Sequence, residues 1–316
     1  MDTPTTTRFA PSPTGALHLG NARTFLLNYL LARRQGWRIL MRVEDLDGPR
    51  VKAGADQSML EELAWLGFTW EQPAICQSQR GPAYRQALEQ LARAGLAYPC
   101  TCSRRDIELA AGAPHMDDHC EAYPGLCRGR FASAQQAQQQ TGRPAAWRLR
   151  VTDEPITFHD EFAGERTYHL ARTGGDFVIF KNDGLAAYQL AVVVDDAMGI
   201  DAIVRGDDLL ESAARQIYLR RLLGMTSAVR YWHVPLVVGP DGRRLDKRHG
   251  DTRLGYYRQK GASPQRILGL LGYWSGLLET RRETSIQELL NGFDLAKVPR
   301  QPVIFDTQDD DFLLDR

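Results

Sequence analysis

Three stretches of this chain carry side chains whose types and spacing suit chemistry. The first is Arg8-Phe9-Ala10-Pro11-Ser12-Pro13-Thr14-Gly15, followed by His18-Leu19-Gly20-Asn21. It reads as a strand end, a proline-stiffened turn and a helix whose N-terminus sits at Gly20. A helix start presents unpaired N–H groups and partial positive charge, so it suits a phosphate. Gly20 permits close approach to the backbone, and His18, one turn outside the helix, can donate to a phosphoryl oxygen. The second stretch is GPDGRRLDKRHG at 239–250, a basic loop after an expected strand, with Lys247 among arginines. The third is cysteine-rich. Cys100-Thr101-Cys102 sets two thiols on one tight segment and Cys127 supplies another. Three thiolates with one further ligand make a closed structural zinc site. Tyr123, Cys120, His119 and His115 all lie close enough in sequence to be that ligand.

The elements that must position these groups alternate in type. Thr7–Ala10 begins a short strand. Apolar residues then recur at helical spacing from Gly20 to Arg34, and Arg38–Val43 predicts a second strand. Strand, glycine-bearing turn, helix and strand in that order is a βαβ unit. Helical patterns follow at Gln57–Leu66 and Pro82–Ala94. From Tyr98 to Arg130 the composition shifts to Cys, Pro, Gly, His and Asp, and 134–140 (AQQAQQQ) is a short polar helix. Strands are expected at Trp147–Val151 and Thr157–Asp160. Alternation resumes with Tyr188–Val194, Ala202–Val204, the helix Leu209–Leu223 and a strand Tyr231–Val238, and the remainder is mostly helical. The economical parse is a nucleotide-binding α/β fold split by an insert.

Bulk properties narrow the class. A chain of 316 residues buries a proper core, and 25% charged with 43% hydrophobic residues is an ordinary globular composition, which excludes a disordered or fibrous chain. Basic and acidic residues balance at 39 each, which argues against a non-specific nucleic-acid coat while leaving room for a local basic groove. No run approaches the roughly 20 apolar residues of a membrane helix, and the N-terminus lacks a secretory signal. A cytoplasmic protein is expected. Clustered cysteines, odd in number, favour a metal over disulfides.

The segment RFAPSPTGALHLGNART, with RVEDLD at 42–47, closely resembles the first signature of class I glutamyl-tRNA synthetases, HLGN standing where the family has its HIGH element. Arg244-Leu245-Asp246-Lys247-Arg248 is similar to the family's KMSKS element, with Arg for the first Lys and Asp for Ser. The resemblance implies an α/β fold: a class I synthetase, Rossmann-like parallel sheet of the HIGH/KMSKS type, split by a zinc-containing α+β insert and ending in a short helical region. It implies ATP-dependent activation of L-glutamate with Mg²⁺, His18 and Lys247 being catalytic. It places Pro11, His18, Gly20, Asn21, Leu245 and Lys247 at ATP. It places Arg8, Ala10, Ser12, Glu44, Tyr188 and Arg205 at glutamate. Arg8 and Tyr188 would hold the side-chain carboxylate, Glu44 the α-ammonium and Arg205 the α-carboxylate. Read from the residues alone, Arg205 also suits a salt bridge with Asp207 or Asp208, and Tyr188 suits core packing.

Two further expectations come from the same resemblance. C-x-C…Y-x-x-x-C is the insert arrangement of the shortened, glutamyl-queuosine branch of that family, which implies one structural zinc held by Cys100, Cys102, Tyr123 and Cys127. The expected division is 1–97 and 187–255 for the catalytic halves, 98–186 for an acceptor-binding-like insert and 256–316 for a stem-contact-like helical region. After Arg248 the chain has room for a few helices and no anticodon-binding domain. The expected acceptor is therefore queuosine in the anticodon loop of tRNA(Asp), after tRNA-independent activation by a monomer. Arg104, Arg105, Arg128, Arg130, Arg220 and Arg221 are candidates to grip its phosphates. The alternatives are a glutamyl-tRNA synthetase fragment charging a 3′ end, and a silent tRNA-binding paralogue suggested by the altered RLDKR loop.

Overall fold

The computed structural model describes residues 4–48, 51–52, 54–111, 123–243, 245 and 250–316. Its organising layer is a parallel ladder. Thr6–Phe9, wholly buried, pairs with Arg38–Val43 in a register running from Thr6↔Arg38 to Phe9↔Met41, and Arg38–Val43 pairs in turn with Ile75–Cys76. Parallel neighbours need a crossover. Leu19–Arg34 and Ala55–Trp65 supply the two helical ones. Leu19–Arg34 is buried nearly all round, at Ala22, Arg23, Leu26, Leu27, Asn28, Leu30 and Leu31, as a central helix covered on both sides must be. Asn28 fastens it to the first strand, donating to the Arg8 carbonyl at 3.0 Å.

Beyond Thr6 the layer continues. Asp201 N–H donates to the Thr6 carbonyl and Thr6 N–H to the Asp201 carboxylate, so Ala202–Gly206 lies beside the first strand. Arg230–Val234 pairs in parallel with Ala202–Gly206, with His233 directly opposite Arg205. On its other side lies Ile156–Asp160, which forms an antiparallel hairpin with Gly164–Tyr168. A separate antiparallel sheet, Ala97–Cys100, Ala146–Leu149 and Val178–Phe180, occupies the cysteine-bearing stretch. One apolar core joins the parallel ladder to the C-terminal helices Leu254–Gln259, Pro264–Trp274, Ile286–Asn291 and Thr307–Leu314. A second fills the space among Gly81–Arg93, Tyr188–Asp196 and Leu210–Leu222.

One expected element divides. The strand read over Tyr231–Val238 is two, Arg230–Val234 and Val237–Val238, broken at Pro235. Proline has no N–H for a ladder, and its carbonyl turns instead to accept from the buried Arg23 guanidinium at 2.6 Å. Val237–Val238 then pairs with Val303–Ile304, which ties the C-terminal region to the approach of the basic loop. No helix among the described residues is long and apolar enough to cross a membrane.

Candidate active site

The strands and helices converge on a cavity of about 170 Å³ whose wall includes Arg8, Ala10, His18, Gly20, Asn21, Glu44, Tyr188, Arg205 and Leu245. Pro11 and Ser12 stand outside that wall. Pro11 is buried and its carbonyl accepts from Glu44 N–H at 2.9 Å, while Ser12 is exposed on the turn. Lys247, with Arg244, Asp246 and Arg248, lies outside the described residues, as do Cys120, His115 and His119.

Each polar group on the wall is placed by a nearby element. His18 is the N-cap residue of Leu19–Arg34, with extended φ and ψ and no side-chain cap bond, so its ring does not close off the helix start. Its Nδ1 lies 2.9 Å from Thr252 Oγ1, and Leu19 N–H donates to the Thr252 carbonyl. The segment following the basic loop is thereby laid across the first signature. Gly20 leaves the gap toward Val237 unfilled, since a Cβ there would stand 3.6 Å from that side chain.

Charge is dense below the cavity. Asp196 lies 2.5 Å from Arg42 and 3.7 Å from Arg8, and Arg42 also reaches Glu44 at 2.9 Å. Burial works against an ionised Asp196, but Arg42 and Arg8 outweigh it and hold the carboxyl below the usual carboxylate range. Glu44 goes the other way: burial raises it, against the pull of Arg42 and Arg8. Burial also lowers the Arg8 pKa, and Arg8 Nε has no hydrogen-bond partner among the described residues. That nitrogen is the one 3.7 Å from Asp196 Oδ1, so it is held by charge from below rather than by a hydrogen bond.

Arg205 does not pair with Asp207 or Asp208 in any bond the structure displays. Its Nε donates to His233 Nε2 at 2.9 Å, one terminal nitrogen donates to Gln216 Oε1 at 2.9 Å, and the other to the Leu209 carbonyl at 3.3 Å. Tyr188 is not a core residue; it opens the helix Tyr188–Asp196 with 37% of its surface exposed. Sequence reading missed the supporting layer of Arg42, Asp160, Asp195, Asp196, Gln216 and His233. One signal was available: two acids closing the apolar helix AVVVDD oppose its dipole, so they require cationic or donor partners. Asp195 finds Gln77, Arg80 and Tyr84 at 2.8, 2.5 and 2.9 Å.

In the cysteine-rich stretch the sulfurs of Cys100, Cys102 and Cys127 lie within 4.8 Å of one another. Tyr123 Oη sits 3.4 Å from Cys100 Sγ and 3.5 Å from Cys102 Sγ, and accepts from Cys127 N–H at 2.9 Å. Metal–sulfur bonds of about 2.3 Å in a tetrahedron separate the sulfurs by about 3.8 Å, and an oxygen from a sulfur by about 3.5 Å. The Cys102–Cys127 sulfur separation of 3.5 Å and the two sulfur–oxygen distances are close to those of such a shell. Burial pushes the Cys102 thiol up to about 12, so a cation is needed to ionise it at neutral pH. Of the arginines expected at the surface, Arg220 is buried and donates to Ser227. Arg128 pairs with Asp176 at 2.5 and 2.6 Å while its side chain stays 45% exposed.

A parallel nucleotide-type sheet, a histidine at a helix start and a charged cavity between them define a class I ligase of the aminoacyl-tRNA synthetase type, an ATP-dependent enzyme. The chain belongs to the family of tRNA synthetases class I (E and Q), catalytic domain, which matches residues 4–309. Among its relatives are proteins named Glutamyl-Q tRNA(Asp) synthetase. That of Symbiobacterium thermophilum is 44% identical, over 94% of each chain. That of Nocardia farcinica is 47% identical, over 94% of this chain and 92% of its own. A crystal structure of a glutamate tRNA ligase from Elizabethkingia meningosepticum, in complex with its amino acid, superposes with a TM-score of 0.80 at 26% identity. It matches 98% of this chain and 69% of its own.

Proposed function

We propose that this enzyme activates L-glutamate with ATP, without tRNA, and transfers the glutamyl group to queuosine in the anticodon loop of tRNA(Asp). The observation that carries the reading is the charge pattern of the cavity. Two guanidinium groups, Arg8 and Arg205, and the carboxyl groups of Glu44 and Asp208 line a space of about 170 Å³. Glutamate brings two carboxylates for the guanidinium groups and one ammonium for an acid. In this reading Arg8 and Tyr188 take the side-chain carboxylate, Arg205 the α-carboxylate and Glu44 the α-ammonium, with Ala10 and Ser12 on the segment just beyond the first strand. The names of the relatives support queuosine as acceptor.

In the first step an α-carboxylate oxygen attacks the α-phosphorus of ATP. The bond to the β-phosphate oxygen breaks, and pyrophosphate leaves with its negative charge. His18 and the N–H groups at the start of Leu19–Arg34 donate to the phosphoryl oxygens where that charge grows, a fixed electrostatic arrangement that needs no protein nucleophile. Pro11, Gly20, Asn21 and Leu245 shape the nucleotide seat, Lys247 adds a cation and Mg²⁺ accompanies ATP. In the second step a ring hydroxyl of queuosine attacks the carbonyl carbon of the anhydride, losing its proton as AMP departs. Residues 98–186 form the acceptor-side insert, between catalytic halves 1–97 and 187–255 and followed by the helical region 256–316. The insert is stapled by one zinc ion on Cys100, Cys102, Tyr123 and Cys127, a closed shell with structural rather than catalytic duty.

Two assays test this. ATP–pyrophosphate exchange without tRNA is expected with glutamate and absent with glutamine or aspartate. Labelled glutamate is expected to remain on queuosine-bearing tRNA(Asp) after its 3′-terminal adenosine is removed. Exchange with glutamine, or label confined to the 3′ ribose, overturns the proposal.

A further inference from the structure

Behind Arg205 stands a buried acid–histidine pair that touches neither the cavity nor any phosphate-binding element. Asp160, His233 and Arg205 are 0%, 1% and 5% exposed. His233 Nδ1 lies 2.6 Å from Asp160 Oδ2, and His233 Nε2 lies 2.9 Å from Arg205 Nε. A guanidinium has only donors. Nε2 of the imidazole must therefore present a lone pair, which in a neutral ring puts the proton on Nδ1, pointing at Asp160. Burial, with Arg205 adding to it, keeps the imidazole pKa below its ordinary value against the pull of Asp160, so the ring is neutral at pH 7. The ring of Tyr231 stacks alongside it at 6.0 Å between centroids.

The acid is itself fixed. Asp160 Oδ1 accepts from the N–H groups of Phe162, Ala163 and His233, which leaves Oδ2 for the ring. On the far side of Arg205, Gln216 donates its amide N–H to Gln189 Oε1 at 3.0 Å, so its own oxygen faces the guanidinium. Gln216 and Leu209 thus present only acceptors to Arg205, and the Leu209 carbonyl also faces the His233 ring as an acceptor. The opposite imidazole tautomer would set N–H against N–H and swing the fork away from the cavity wall.

We propose that Asp160 and His233 act as positioning residues, a tautomer lock that aims the Arg205 fork at the substrate carboxylate without touching the substrate. The assignment of that carboxylate as the α-group of glutamate rests on the function proposed above; the lock itself does not.

The test has two arms. Imidazole ¹⁵N NMR on histidine-labelled protein, with His233→Gln used to assign the signal, should show a neutral ring protonated at Nδ1 at pH 7. An Nε2–H tautomer or an imidazolium overturns the lock. Kinetically, His233→Leu should raise the glutamate KM by roughly 10- to 100-fold, the size expected for losing a hydrogen bond to a charged group, with the ATP KM unchanged. His233→Gln restores an acceptor near Nε2 and should recover most of that loss. Glutamate and ATP KM rising together, or His233→Gln behaving like His233→Leu in a folded protein, overturns the positioning role. The NMR arm needs no substrate. A correct tautomer in a protein that does not use glutamate supports the lock and removes only the identity of its ligand.

Discussion

Asp196→Asn tests how far the cavity depends on charge that lies beneath it. Asp196 is 3% exposed and bonds Arg42 at 2.5 Å, with Arg8 at 3.7 Å. Asp196 is the acid bonded to Arg42 and nearest Arg8, and the substitution leaves Arg42 only its contact with Glu44 among these groups. Removing one partner of a buried ion pair leaves the other uncompensated, at a cost of about 3–5 kcal/mol, a large share of an ordinary domain's stability of about 5–15 kcal/mol. At about 2 °C per kcal/mol for a chain of this size, the melting temperature should fall by about 6–10 °C. The effect should depend on pH with a definite sign. A carboxyl held low in the folded state contributes stability that is present above its unfolded pKa of about 3.9 and lost as pH falls through the folded value. The gap between wild type and variant should therefore be full at pH 7 and narrow below about pH 4. Calorimetry across pH 3–8 measures it. Glutamate KM should rise as well, because Arg8 and Arg42 would then both draw on Glu44. Asp195→Asn is the comparison: it loses stability through Gln77, Arg80 and Tyr84 but leaves glutamate KM alone. An Asp196→Asn protein melting within about 2 °C of wild type at pH 7, or a gap unchanged at pH 3, would refute the reasoning.

Two further outcomes are expected. One zinc per chain should be found by native mass spectrometry, and Tyr123→Phe should release it faster to a chromophoric chelator while Cys100→Ser retains none; equal release rates for Tyr123→Phe and wild type would show that the phenol is no ligand. Thr252→Val removes the hydroxyl 2.9 Å from His18 Nδ1 and should lower kcat for pyrophosphate exchange by roughly 5- to 30-fold. Thr252→Ser should restore it; a Val variant with wild-type kcat would mean the His18 ring needs no such partner.

Much of the fold was legible because its signals are local. The turn and helix at Arg8–Asn21, the buried periodicity of Leu19–Arg34, the strand Arg38–Val43 and the pair Cys100 and Cys102 each depend on neighbours a few positions away, whereas Cys127 joins that pair across 25 positions. Charged and small residues at fixed offsets could thus be matched to a chemistry before any packing was known. Pro235 could have been read the same way, since a missing N–H is a property of the residue; an apolar run on both sides of it concealed the break.

What the chain by itself determined is which chemical groups are present and on which local elements they ride. Tertiary structure alone decided what each group faces. Arg205 meets His233 through strand register, His233 meets Asp160 across 73 positions, and Asp196 meets Arg42 across 154. Arg220, a plausible surface cation by composition, is buried and bound to Ser227. The physical reason is that hydrogen bonds and buried charges act over a few ångströms in space whatever the separation along the chain. The partner that orients a guanidinium or lowers a carboxyl is chosen by how the layers pack, and only the packed layers reveal it.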